Sequence, residues 1–159
     1  MPQGKNKKFL KNKIDYLSKN FGGPSFSPHV TLIGSFLGEQ KDLIEKTKQI
    51  SEKIKAFEIY FYKLCSLDKF FQSLFLDVKL NRELVNARNY ASHKLGCSND
   101  NYEPHLSLAY GEYSKKVKDK MISTIDKFPQ RFFVDKIFLA HNNEINLRWK
   151  IIKDFPLIK

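Results

Sequence analysis

A chain of 159 residues fits one domain, or two small lobes sharing a cleft. Its 42% hydrophobic and 14% aromatic content is enough to bury a core and excludes a largely disordered body. A net charge of +11, from 28 Lys+Arg against 17 Asp+Glu, favours anionic substrates or polyanions. The cations are mostly Lys and are spread along the chain, a pattern of general steering rather than of a dedicated nucleic-acid groove. A lysine-rich proteome would give the same excess. No apolar run reaches the ~18–20 residues that span a bilayer. The basic start, Met1-Pro2-Gln3-Gly4-Lys5, has no apolar segment behind it. Cys65 and Cys97 make neither a metal spacing nor a disulfide framework. These features lead us to expect a cytoplasmic protein with no membrane contact.

Residues 6–20 carry Phe9, Leu10, Ile14 and Leu17 at helical spacing, and Gly22-Gly23-Pro24 ends the run. Ser27-Pro28-His29-Val30-Thr31-Leu32 alternates and predicts a strand. Glu39 to Lys55 predicts a helix with Leu43, Ile44, Thr47 and Ile50 inward. Strands are expected at 57–61 and 70–80. The layout then repeats. A helix over 82–95 turns Leu84, Val85, Ala91 and Leu95 inward and stops at Gly96. Glu103-Pro104-His105-Leu106-Ser107-Leu108 echoes the first motif. A helix over 114–127 follows, with Val117, Met121, Ile122 and Ile125 inward, then strands at 133–138 and 146–152. The repeats, roughly 6–80 and 82–156, make two pseudo-symmetric lobes of a single domain covering 1–159. Short polar turns between consecutive strands predict antiparallel pairing. The expected fold is α+β and bilobal: two antiparallel sheets flank a central cleft, with helices outside.

Residues i and i+2 of a strand share a face. His29 projects with Thr31, and His105 with Ser107, away from their apolar neighbours. Two such strands would bring two imidazoles and two hydroxyls to one cleft. Opening a cyclic phosphate needs a base for the attacking water and an acid for the departing ribose oxygen, each contributing ~10²–10⁴-fold. Histidine serves either role near neutral pH, and hydroxyls can donate to the phosphate oxygens. No metal is required or indicated, since no further ligand accompanies the histidines at a recognisable spacing. An isolated His-x-Thr is short and common. Two copies, each after Pro and each at the same place in a repeat, point to chemistry.

Pro28-His29-Val30-Thr31-Leu32 and Pro104-His105-Leu106-Ser107-Leu108-Ala109-Tyr110 resemble the paired motifs of the two-histidine phosphoesterase superfamily. Phe21-Gly22-Gly23-Pro24-Ser25-Phe26, Phe70-Phe71-Gln72 and Leu108-Ala109-Tyr110 are similar to the plant and yeast cyclic phosphodiesterase branch. The resemblance runs from about residue 6 to the C-terminus. It implies metal-independent, cofactor-free hydrolysis of ADP-ribose 1″,2″-cyclic phosphate, a by-product of tRNA splicing, and of nucleoside 2′,3′-cyclic phosphates to 2′-phosphates. His29 and His105 would be the acid–base pair, with His105 as base and His29 as acid. Thr31 and Ser107 would bind phosphate, and Tyr110 and Phe71 would fall near the substrate pocket. The branch usually begins with an apolar strand bearing an aromatic residue. Here Met1-Pro2 leads almost directly into the first helix, so a strand of the first sheet and an aromatic platform are expected to be absent, or the true start lies upstream. A monomer acting on a small cyclic-phosphate nucleotide is expected. The alternatives are an enzyme acting on RNA ends in the same superfamily, and a silent RNA-binding module.

Other residues read more plainly. His93 is expected on a helix surface, and His141 at a solvated hairpin tip, His141-Asn142-Asn143-Glu144. Trp149 falls in the last hairpin. Lys115 to Lys120 reads as a solvated helix face. Cys97 reads as incidental.

Overall fold

Helix α1 (Gly4–Phe21) forms where the sequence spaces Leu10, Ile14 and Leu17 along one stripe, and all three are almost fully buried. The computed structural model describes residues 1–98, 101–143 and 148–159. The chain leaves α1 through Gly22 and Gly23, both at φ 85°, a region that other residues rarely adopt. Gly22 N–H caps the helix by donating to the Ser18 carbonyl at 3.0 Å. Ser25 and Lys11 both donate to the Asp15 carboxylate, which ties the outgoing loop to the helix.

Helix α2 (Gln40–Ser51) buries Thr47, Ile50 and Ser51. Four strands follow in one antiparallel sheet: β1 (Phe57–Cys65), β2 (Leu74–Lys79), β3 (His105–Ala109) and β4 (Arg131–Val134), in the order β3-β2-β1-β4. Helices α3 (Arg82–Leu95) and α4 (Lys115–Ser123) interrupt them. Strands β5 (Lys136–Asn143) and β6 (Arg148–Pro156) form a separate antiparallel hairpin, against which α2 packs. The architecture is α+β with antiparallel sheets, as the sequence implied.

Alternation decides the faces of the larger sheet. Phe57, Ile59, Phe61, Leu74, Leu76, Val78, Leu106, Leu108, Phe132 and Val134 are all buried, in one core with residues of α1, α3 and α4. Each fully buried aliphatic or Phe side chain there contributes about 1.5–3 kcal/mol before entropic costs. The opposite face carries the alternate residues, His105 and Ser107 among them.

Several elements differ from expectation. Residues 28–32 form no strand, bend at Leu32 and pair with no strand among the described residues, so the first motif sits outside any ladder. The strand expected at 70–80 opens instead with a 3₁₀ turn at Phe70–Gln72. The strand expected at 133–138 divides at Asp135, whose carbonyl leaves the sheet to accept from Leu157 N–H at 2.8 Å. Residues 146 and 147 lie outside the described residues, as does Glu144 of the expected hairpin tip. Strand β2, from the first repeat, pairs with the second motif rather than the first, and β1 lies between β2 and β4. The Lys115–Lys120 face is not wholly solvated: Lys118 is only 5% exposed and donates to the Leu67 carbonyl at 2.7 Å and to Asp68 at 2.6 Å.

The Gly22-Gly23 turn touches the segment after β3. Tyr113 hydroxyl shares its proton between the Gly22 carbonyl at 2.8 Å and the Tyr110 carbonyl at 2.9 Å. A Cβ on Gly23 would fall 2.4 Å from the Tyr110 carbonyl oxygen. Gly23→Ala is therefore expected to cost at least about 1–2 kcal/mol from the backbone alone, lowering the thermal midpoint by at least about 2–4 °C. A melt of the variant against wild type measures this.

Candidate active site

Each motif histidine follows a proline, and that proline shapes the approach to the ring. Pro28 is almost fully buried and Pro104 is buried. The residue before a proline is confined to extended backbone, which fixes where its carbonyl points. In both motifs that carbonyl accepts from the imidazole two residues on. His29 Nδ1 lies 2.8 Å from the Ser27 carbonyl oxygen, and His105 Nδ1 lies 2.8 Å from that of Glu103. A carbonyl oxygen can only accept, so Nδ1 carries the proton in both rings. In the neutral rings Nε2 is then left with a free lone pair. Gln72 also meets His105 Nδ1, at 3.2 Å. The Gln72 atom placed there is the amide nitrogen, so with Nδ1 committed as a donor to Glu103 a hydrogen bond between them requires the amide turned to present its oxygen.

His29 is half-buried, with Trp149 of β6 at 5.4 Å between ring centres and the edge of Phe26 at 6.3 Å. Burial lowers its pKa below the ordinary value. The bond to Ser27 opposes this, and the positive charges of the Met1 amine and of His105 add to it. Charge on one motif histidine is thus felt by the other. A chain of rings links the two motifs. Phe26 stacks on Tyr110 at 3.8 Å and 12°, and Tyr110 meets Phe71 edge-on at 5.2 Å.

The first motif has no ladder, and its main chain is held by side chains instead. Tyr102 hydroxyl donates to the Thr31 carbonyl at 3.1 Å, and Arg88 Nη1 donates to the Leu32 carbonyl at 2.8 Å. Arg88 is buried on α3. It also donates to the Ser98 carbonyl at 3.1 Å and lies over the Tyr102 ring at 4.8 Å. Burial pushes the Tyr102 phenol up to about 12, so it remains a donor at neutral pH.

Thr31 hydroxyl makes no hydrogen bond among the described residues and borders, with His29, Trp149 and His141, a cavity of about 500 Å³. The cavity runs inward between α2, α3 and the β5–β6 hairpin, along apolar walls such as Leu32, Phe57 and Ile137. His105 and Ser107 are not part of its lining; they stand on the open face of β3. Ser107 is 5% exposed and its hydroxyl donates to the Phe71 carbonyl at 2.6 Å. Phe71 is 49% exposed. Tyr110 is only 4% exposed, one face covered by Phe26, and so presents little ring to a ligand. Its burial raises the phenol to about 12. No group of three or more His, Cys, Asp or Glu fit to hold a metal occurs among the described residues.

The family model of the 2′-5′ RNA ligase superfamily matches residues 17–146. The chain belongs to that superfamily. It is also 29% identical over 122 residues to a cyclic phosphodiesterase of Arabidopsis thaliana, a match covering 74% of this chain but only 66% of that relative. The fold is shared with solved structures. E. coli LigT complexed with 3′-AMP superposes with a TM-score of 0.63 at 14% identity, covering 96% of this chain and 93% of LigT. The same protein complexed with NADP+ gives 0.62 at 12% identity, covering 96% and 92%. TT0787 of Thermus thermophilus gives 0.58 at 14%, covering 94% and 92%.

Within this superfamily member, sequence reasoning missed three residues. Trp149 stands against His29 although over a hundred positions separate them. Arg88 and Tyr102 anchor the first motif, and no local pattern marks them. His141 lies in β5, exposed and at the cavity rim, rather than at the hairpin tip. No described helix is long and apolar enough to cross a membrane.

Two outcomes are expected. Tyr102→Phe should cost about 0.5–1.5 kcal/mol and Arg88→Met roughly 2–4 kcal/mol, because main-chain carbonyls lose their donors; denaturant unfolding measures both. His29 has a lower pKa folded than unfolded, so the unfolded chain binds more protons as pH falls past about 6.5. Stability should drop below that pH, and His29→Gln should weaken the drop. Melts at pH 7.5 and pH 5.5 test it.

Proposed function

We propose that the chain hydrolyses a cyclic phosphodiester by acid–base catalysis between His29 and His105. One observation carries the reading: both imidazoles are oriented by the same bond to the carbonyl two residues earlier, which leaves Nε2 of each as the working nitrogen. Water attacks phosphorus, one imidazole taking its proton. The bond from phosphorus to one ribose oxygen breaks, and the other imidazole protonates that oxygen as it departs. Each contribution is of the order ~10²–10⁴-fold.

His29, whose burial favours the neutral ring, is the base in this scheme, and His105 the acid. That reverses the roles the resemblance suggested. Thr31 hydroxyl donates to a non-bridging oxygen. Ser107 does the same once its proton swings from the Phe71 carbonyl. Trp149 and the exposed ring of Phe71 offer stacking surfaces for the nucleoside, in place of the buried Tyr110. The name of the Arabidopsis relative, cyclic phosphodiesterase, and the LigT complex with 3′-AMP support a nucleoside 2′,3′-cyclic phosphate as substrate class. ADP-ribose 1″,2″-cyclic phosphate is the finer candidate, in the cytoplasm.

The expected results are concrete. His29→Ala and His105→Ala should each lower kcat on a nucleoside 2′,3′-cyclic phosphate by about 10²–10⁴-fold while the melt stays cooperative. Full activity in either would defeat the scheme. Turnover should persist in EDTA. The rising limb of the pH profile should lie below about 6.5, where His29 loses its proton. Trp149→Ala should weaken substrate binding about tenfold, read as KM.

A further inference from the structure

His105 is one residue of a continuous surface, the open face of the four-stranded sheet. Register shows what shares that face. His105 lies opposite Asp77, and Ser107 opposite Phe75. Lys79 pairs with Tyr60, Tyr60 with Arg131, and Glu58 with Phe133. A register shift in β1 between Phe61 and Leu64 leaves Tyr62 and Lys63 both exposed. At the level of His105, the next strand offers Asp77 and the one after it offers this bulge.

Three large rings are exposed here: Tyr62 is 68% exposed, Phe133 55% and Tyr60 37%. Strands stand about 4.8 Å apart and rise about 3.4 Å per residue, so Tyr62 lies roughly 10 Å from His105, Tyr60 roughly 12 Å and Phe133 roughly 20 Å. Aromatic side chains on the solvent face of an antiparallel sheet forgo burial that would stabilise the fold, which marks such a face for a ligand. Cations are interleaved with the rings. Lys63 Nζ lies 5.6 Å from the centre of Tyr62, and Lys79 and Arg131 share the face. The acids are Glu58 and Asp77. Glu58 is engaged by Arg131 at 3.0 Å and by Tyr60 hydroxyl at 2.6 Å, and Asp77 sits beside His105. Lys63 and Lys79 therefore face outward in a chain of net charge +11.

Exposed rings with neighbouring cations on an open antiparallel sheet match the needs of single-stranded nucleic acid. Bases stack on rings of any sequence context, and phosphates meet the cations. A folded protein partner would sooner ask for an apolar patch depleted of lysine. We propose that this face binds single-stranded RNA leading into the active site. The nucleotide next to the reacting one stacks on Tyr62, and those beyond it reach Tyr60 and Phe133. This deepens the reading of the active site, on which it rests only for placing the phosphate end of the strand at His29 and His105.

The test uses the full chain. Binding is read by anisotropy of a 5′-labelled six-nucleotide RNA bearing a 3′-phosphate. Turnover is read separately on a mononucleotide 2′,3′-cyclic phosphate. Wild type should bind the RNA with an affinity that falls as salt rises. Tyr62→Ala and Phe133→Ala should each weaken binding about tenfold, Tyr62→Phe should keep it, and mononucleotide turnover should be unchanged in all three. Alanine variants that bind as tightly as wild type, or that lose mononucleotide turnover by the same factor, would overturn the proposal. RNA binding that depends on Tyr62 and Phe133 in a protein that turns over nothing would uphold this face and sink the acid–base scheme instead.

Discussion

The bond from each motif imidazole to the carbonyl two residues earlier is the constraint on which the site depends. Proline supplies the rigidity between the two partners. It confines Ser27 and Glu103 to extended backbone, so their carbonyls sit where His29 and His105 can reach them. One hydrogen bond then settles ring orientation and tautomer together, and Nε2 of the neutral ring is left as an acceptor in both halves of the chain. Without that bond an imidazole on a strand end would rotate freely and change tautomer. Its proton inventory would then no longer be defined by the fold.

The halves that share this device are supported differently. The second motif lies in β3, where the ladder to β2 fixes its main chain. The first has no such ladder, and Tyr102 and Arg88 take over by binding the Thr31 and Leu32 carbonyls. A side-chain brace is more exposed to single substitutions than a row of main-chain bonds. His29 is also desolvated, closed in by Trp149 and Phe26. The pseudo-symmetry of the sequence therefore yields two histidines with different supports, and burial of His29 favours its neutral ring.

Much of this was legible in the sequence, for identifiable reasons. The helices announced themselves because apolar spacing and glycine stops are local signals; α3 ends at Gly96 as expected. The second motif forms the expected strand because β2 offers it a ladder, although its burial does not alternate: Ser107 is covered like Leu106 and Leu108. The first carries the same alternation of residue types and forms no strand, because strand identity needs a partner and the sequence does not say where the partner is. The sequence marks Trp149 only as a hairpin residue, since its approach to His29 depends on how β5 and β6 pack. The resemblance puts Tyr110 near the substrate pocket, but Phe26 stacks on it, a contact that no local pattern encodes. Arg88 lies a turn from Leu84 and from Ala91 on α3 and is buried with them. The charge pattern suggested diffuse steering, whereas the sheet gathers Tyr60, Tyr62 and Phe133 from two strands more than sixty positions apart in sequence.

The account stands on two imidazoles serving one phosphate. Long-range ¹H–¹⁵N spectra of histidine-labelled protein, titrated with a nucleoside 2′-phosphate, examine this directly. The Nε2 signals of His29 and His105 should move together along one saturation curve, while His93 stays in place. Movement of one motif histidine alone, or of the two along separate curves, would contradict a shared site.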